Sequence, residues 1–324
     1  MEYHVKIYNS GDVLPEMTCS NFFHSAELFH ITERVIGSSP YMIVAFDENN
    51  NVVAHLLAII RRRGSFLPPY LYTQGRIYGE GEYNDEVDKS LVFNLMLRSA
   101  TSKFKHKFCF YVEFSNLSKK MLGYRFFRQN HYYPIQWQEI HNSLHSKKPE
   151  ERISKKLQQR IDHIYNLGVE TREVSGLDEV REFYKMLNKF YRFKFRRLIP
   201  SVRHFEELYK SKNANIFVTT YKQKIIGGCT CVYSEGNAYL WYLASKRKSH
   251  PTLHPNTMTV WHAIKYAYEH NYAHIFFLDV GLPWKKNPFR EFILSFGGKP
   301  IGMYRWFHFN IKWLNKILTW YYKE

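Results

Sequence analysis

The densest set of chemistry-bearing residues lies between Gly227 and Arg305. Asp279 closes a continuous apolar run, His274–Asp279, and leads into Val280-Gly281. A carboxylate where a buried strand enters a Gly-containing loop occupies the ligand-facing end of α/β sheets. There it can orient an amine or take its proton; otherwise it caps the helix expected around Pro288–Phe296. Upstream, Asn237–Ala244 reads as an aromatic strand. Tyr242 is its candidate catalytic hydroxyl, and Trp241 a ring for contact with a donor. Three consecutive cations, Lys246, Arg247 and Lys248, follow just before a helix whose start is marked by Pro255-Asn256, with Asn256 as the expected N-cap. Free N–H groups and the positive dipole at a helix start stabilise a phosphate or other anionic group. A solvated basic loop fits the same residues. Lys285, Arg290 and Tyr304 complete the candidate donor-binding set, and Gly227-Gly228, inside an apolar strand, invites close approach of a backbone or ligand.

Several chemistries are excluded by what the sequence lacks. It has no GxGxxG, P-loop lysine, GxSxG or HExxH motif. The 16 histidines are scattered, and Pro251 and Pro255 break His250 and His254 as a helical ligand pair. Cys19, Cys109, Cys229 and Cys231 form no CxxC; Cys229 and Cys231 share a strand face and read as buried, reduced thiols. No metal site and no tightly bound cofactor are expected.

The elements that must position these residues recur twice. Tyr41–Phe46 and Val52–Ile60, around a turn at Asp47–Asn51, read as a hairpin, as do Ile216–Tyr221 and Ile225–Tyr233 around Lys222–Lys224. Each hairpin is followed by loops, an amphipathic helix (Glu86–Ser102 or Thr257–Asn271) and a buried strand (Phe108–Val112 or His274–Asp279). The chain thus reads as α/β (α+β), with one architecture duplicated in tandem. A charged stretch, His145–Arg152, separates the halves ahead of a basic helix, Ile153–Leu167, so the domains are placed at 1–146 and 147–324.

In that order the residues resemble the Fem-type (FemABX) aminoacyl and peptidyl transferases, whose fold is two tandem GNAT-like domains, each a mixed central sheet flanked by helices. Asn21-Phe22-Phe23-His24-Ser25 is similar to that family's early Phe-His-Ser segment, and Ser154–Arg160 to its basic connector. Pro255-Asn256, Trp261, Asp279 with Gly281, and Phe292…Phe296-Gly297-Gly298 resemble its C-terminal signature. The resemblance covers nearly the whole chain. It implies transfer of an activated acyl or aminoacyl group to an amine, with acyl-CoA or aminoacyl-tRNA as co-substrate and a bacterial cell-envelope (peptidoglycan-related) precursor as acceptor. Two departures stand out. Lys246–Pro251 carries no glycine where GNAT enzymes have a Gly-rich pyrophosphate loop, and Ile293 replaces a signature lysine, whose charge Arg290, Lys285 or Lys286 would supply.

The totals agree with that class. At 324 residues, with 45% hydrophobic and 18% aromatic content, the chain can bury two cores. A formal charge of +17 favours anionic partners such as tRNA or a lipid surface, DNA not being expected among them. The same charge suits an alternative, a non-catalytic basic binding protein on a degenerate GNAT scaffold. The N-terminus has no signal-peptide layout and no run is long enough to span a bilayer, so a cytoplasmic protein is expected, peripheral at most to the inner membrane face. The run Ile311–Tyr322 reads as an amphipathic helix that touches such a surface or, more commonly for a terminal helix, packs on its own domain.

Overall fold

A computed structural model of the chain describes residues 2–66, 69–107, 109–115, 122–191, 199–278 and 280–322. Its contacts divide it into two units: residues 1–136 with 303–324, and residues 137–302.

The first unit runs β1 (His4–Asn9), α1 (Ala26–Glu33), β2 (Ser38–Phe46), β3 (Val52–Phe66), β4 (Pro69–Tyr78), β5 (Glu82–Tyr83), α2 (Lys89–His106), β6 (Tyr111–Ser115), α3 (Tyr124–Gln129) and the start of β7 (Tyr133–Ser143). Strands β1 to β4 form an antiparallel meander, and α2 then crosses over so that β6 lies parallel to β4. Within the β2–β3 turn, Asp47 accepts from the N–H groups of Asn49 and Asn51, fixing the hairpin locally. The core gathers Leu56, Val92, Phe93, Met96 and Phe114 between the sheet and α2.

The second unit repeats the plan. After α4 (Lys155–Asn166) come β8 (Val169–Glu173), α5 (Leu177–Tyr191), α6 (Val202–Tyr209), β9 (Ala214–Tyr221), β10 (Lys224–Ser234), β11 (Asn237–Ser245), α7 (Pro255–Glu269), β12 (His274–Phe277), α8 (Pro288–Leu294) and the start of β13 (Lys299–Phe309). Strands β8 to β11 are an antiparallel meander, and α7 crosses over to set β12 parallel to β11. Lys222-Gln223 and Glu235-Gly236 have positive φ, the two-residue turns whose twist suits right-handed strands. Both duplicated hairpins and both crossover helices therefore appear where the apolar periodicity places them.

The unit limits differ from the sequence boundary at 147. Residues 140–143 of β7 pair with β12, whereas Arg305–Phe309 of β13 pair with β6. Trp306 stacks on Phe127 within the first core, 4.8 Å between ring centroids. A polar linker is visible in composition, but a strand contributed from far along the chain is not. The final helix, α9 (Lys312–Tyr321), follows β13.

Candidate functional site

Among the described residues, the pairing of β11 with β12 is short. Strand β11 pairs with β12 only at Ala238, Leu240 and the residue between, ending at Leu240 opposite Phe277. At the same level the β10–β11 register shifts: Cys231 faces Leu240 but Thr230 faces Tyr242, so Trp241 is an extra residue, a β-bulge. A bulge leaves one residue out of the ladder and re-aims its neighbours. Here the Trp241 and Tyr242 rings both meet His204 of α6, at 5.4 and 6.3 Å, a meeting that strict strand alternation forbids. Phe205 packs edge-on to Tyr242 at 5.1 Å. Both bulge residues are buried. His204 is the imidazole that α6 brings to the bulge. Only the amphipathic pattern of Val202, Phe205 and Leu208 marks that helix, and no spacing ties His204 to Trp241.

Helix α7 descends on β10 at the paired glycines. A Cβ on Gly227 would lie 2.6 Å from Thr259 Oγ1, and one on Gly228 2.7 Å from Phe183 of α5 on the opposite face. The close approach expected there is thus by two helices. Cys229 and Cys231 share the second core; neither they, buried Cys109 nor exposed Cys19 is in a disulfide. The N-cap of α7 is His254, not Asn256: Pro255 takes the first helical position and Asn256 lies inside the first turn. Proline suits that first position because its missing N–H would have no helical partner. His254 adopts a left-handed conformation, φ 40° and ψ 53°, and burial followed by the nearby Arg160 holds its imidazole below the usual pKa.

The cationic loop is a closed turn. Ser249 and His250 both donate their backbone N–H to the Lys246 carbonyl, at 3.0 and 3.1 Å. Arg247 and Lys248 are exposed, and Lys246 is partly exposed with Glu182 at 3.6 Å.

Asp279 lies outside the described residues. The loop after it is held by Arg290, whose guanidinium donates to Gln138 Oε1 and to the Leu282 and Lys285 carbonyls at 2.7 to 2.9 Å. Asn287 donates to the Val280 carbonyl at 2.6 Å, and Gly281 has a φ of +93°, where a side chain would be strained and would strike Asn287. Lys285 is exposed, whereas Ile293 is 0% exposed in the core, a place with no room for a charge. Gly297 and Gly298 abut Arg152 and Asn142, and Asn142 donates to the Phe296 carbonyl at 2.8 Å. Tyr304 sits in the first unit, against Trp306 and Tyr124. The structure therefore gathers Trp241, Tyr242, Lys246, Arg247, Lys248, Asn256, Lys285 and Arg290 in one unit, with Tyr304 in the other.

An antiparallel meander and a crossover helix that sets the next strand parallel to the meander's last one are the GNAT plan and occur in both units, with the bulged strand in the second. Residues 152–286 match the acetyltransferase (GNAT) domain family, within the second unit. The chain is similar to the crystal structure of FemX, at 12% identity over 93% of this chain and 96% of that one, TM-score 0.63. It is also similar to the structure of L-PGS from Bacillus licheniformis (12% identity, 91% and 92% covered, TM-score 0.58). A third similar structure is a tandem GNAT protein from the clavulanic acid biosynthesis pathway (9% identity, 95% and 99% covered, TM-score 0.58). No curated protein matches the chain. The protein is a GNAT-fold acyltransferase resembling the Fem-type transferases.

Proposed function

We propose that the second unit transfers an aminoacyl group from aminoacyl-tRNA to an amine of a cell-envelope precursor. The observation that carries this reading is the bulge at Trp241, just past the last described pair of β11 with β12. Backbone N–H groups of β11 beside this bulge would hold the donor carbonyl and the oxyanion that develops on it. The amine attacks the carbonyl carbon as the neutral base, Asp279 takes its proton directly or through water, and the donor's ribose oxygen leaves with a proton. The turn at Lys246–His250 supports tRNA over acyl-CoA. Two of its N–H groups are spent on the Lys246 carbonyl, and Pro251 and Pro255 have none, so little backbone remains to cradle a pyrophosphate. The side chains of Lys246, Arg247 and Lys248, with Lys285, instead present the separated point charges that suit a nucleic-acid backbone.

Helix α9 supports a membrane-borne acceptor. Trp313, Ile317 and Trp320 recur at i, i+4 and i+7, and the two indoles are 66% and 75% exposed. Lys312 and Lys316 flank them, and the only buried residue of the helix is Asn315. Terminal packing would have covered that stripe; an anionic bilayer face would cover it while pairing the lysines. Among the described residues no helix is long and apolar enough to cross a membrane.

The test is to incubate the protein with charged tRNA pools or acyl-CoA thioesters and candidate amines, following donor deacylation. Amine-dependent consumption of one charged tRNA is expected, with Asp279→Asn slowing it roughly 10²- to 10⁴-fold. Consumption of acyl-CoA alone would overturn the tRNA assignment, and an unchanged rate in Asp279→Asn would remove that residue from the site.

A further inference from the structure

A second constellation lies in the first unit, and none of its residues takes part in the reaction proposed above. His55 of β3 and Glu82 of β5 are direct cross-strand partners. Gly81 makes that pairing close, since a Cβ there would stand 2.7 Å from the His55 carbonyl. Glu82 Oε1 accepts from the Ser20 N–H at 2.8 Å and its hydroxyl at 2.6 Å, which turns Oε2 toward two other groups. Cys19 Sγ donates to Oε2 at 2.8 Å, and His55 Nε2 lies 3.4 Å from the same oxygen. The three ligand-type atoms all lie within 4.8 Å of one another. They stand on the wall of a cavity of about 1610 Å³ lined by segment 11–20, by His30 and Glu33, and by Asn84.

We propose that Cys19, His55 and Glu82 form a zinc clip that pins segment 11–20 to the β3–β5 edge and leaves one coordination position open to the cavity. Thiolate, imidazole and carboxylate together suit zinc, whereas magnesium, calcium and manganese prefer all-oxygen sets. At zinc–ligand lengths of about 2.0 to 2.3 Å, tetrahedral ligands stand roughly 3.3 to 3.7 Å apart. His55 and Glu82 are already so spaced. Cys19 is closer to Glu82 because a thiol proton lies between them, and that proton is the one the metal displaces. Zinc binding forms the Zn–S, Zn–O and Zn–N bonds and releases one proton to water. The ionised Glu82 and the new thiolate neutralise the dication. His55 binds through Nε2 in the tautomer protonated at Nδ1. The Ser20 bonds to Oε1 are the outer contacts that orient a ligating carboxylate.

The full-length protein, stripped with a chelator, is titrated with cobalt(II) as the optical probe and then with zinc. One cobalt per chain is expected, with a thiolate-to-cobalt charge-transfer band that stoichiometric zinc abolishes. Cys19→Ser should remove the band and weaken zinc binding at least tenfold, and zinc should slow proteolysis within 11–20 in the parent protein only. Because Cys19 is exposed, that variant folds without repacking a core. Glu82→Gln is the second probe, expected to keep the band and weaken affinity. Absence of a thiolate band in the parent protein, or the same band and affinity in Cys19→Ser, overturns the clip.

Discussion

Burial, then repulsion from His55, lowers the His24 pKa from 6.5 to about 3. Its Nδ1 and Nε2 stand 3.2 Å from the backbone N–H groups of Leu57 and Gly81, respectively, and hold the Phe-His-Ser segment against β3. The neutral ring keeps one acceptor for these donors, and a protonated ring would keep none. Between those two pKa values the unfolded chain binds a proton that the folded unit does not, so stability rises with pH across this window and falls on acidification. At pH 5, about 1.5 units below the unfolded value, the cost is about 2 kcal/mol. Glu82 does not blur the comparison of pH 7 with pH 5: burial opposes its ionisation, but hydrogen bonds from His55, Cys19 and Ser20 hold it well below the usual carboxylate range, so its own loss of stability on acidification develops below its ordinary value of 4.5. Urea unfolding of the parent protein and His24→Asn at pH 7 and pH 5, with chelator present, reads the effect. The variant should be weaker at pH 7, yet lose about 2 kcal/mol less than the parent on going to pH 5. Equal losses in the two proteins would refute the assignment of this proton uptake to His24.

Gly227→Ala places a methyl group 2.6 Å from Thr259 Oγ1 and should cost about 1 to 3 kcal/mol in thermal unfolding. Its turnover should fall further than stability explains, because the start of α7 must shift; a stability within error of the parent would contradict the packing argument. Arg290→Ala removes donors to Gln138, Leu282 and Lys285 and should raise amide exchange across 280–287 while β10 stays protected. Uniform exchange in both proteins would show that the guanidinium does not hold this loop. Trp313→Ser with Trp320→Ser should lower cosedimentation with anionic vesicles at least tenfold and leave stability within about 0.5 kcal/mol. Retained vesicle binding would acquit α9.

The duplicated architecture is legible in the sequence because its signals are local. Alternating or continuous apolar runs define β2, β3, β9 and β10, and helical spacing of Val260, Ile264 and Ala267 defines α7. The start of α7 differs by two residues from the expected one. Asn256 has the better capping chemistry, but Pro255 already fits the first helical position, so the cap falls to His254. The nearness of Trp241, Tyr242 and the Lys246–Lys248 cations is legible because one strand and the loop after it hold them together. His204 and the Cys19–His55–Glu82 group are not, because tertiary pairing brings together residues with no shared period. Likewise Ile293 departs from the family's charge for a physical reason, full burial, that a motif comparison does not reveal.

The placement of β13 bears on how the protein is made. Among the described residues, strand β6 finds its second neighbour in Arg305–Phe309, and buried Glu113 of β6 receives Arg305 at 3.0 Å. During synthesis the first unit therefore waits, with one sheet edge bare and Glu113 short of one of its two arginines, until residues 305–309 leave the ribosome. An exposed edge of that kind is where chains mispair. The unit that begins first is thus completed only after residues 137–302 are made, and a stop codon before Met303 would damage the unit of residues 1–136.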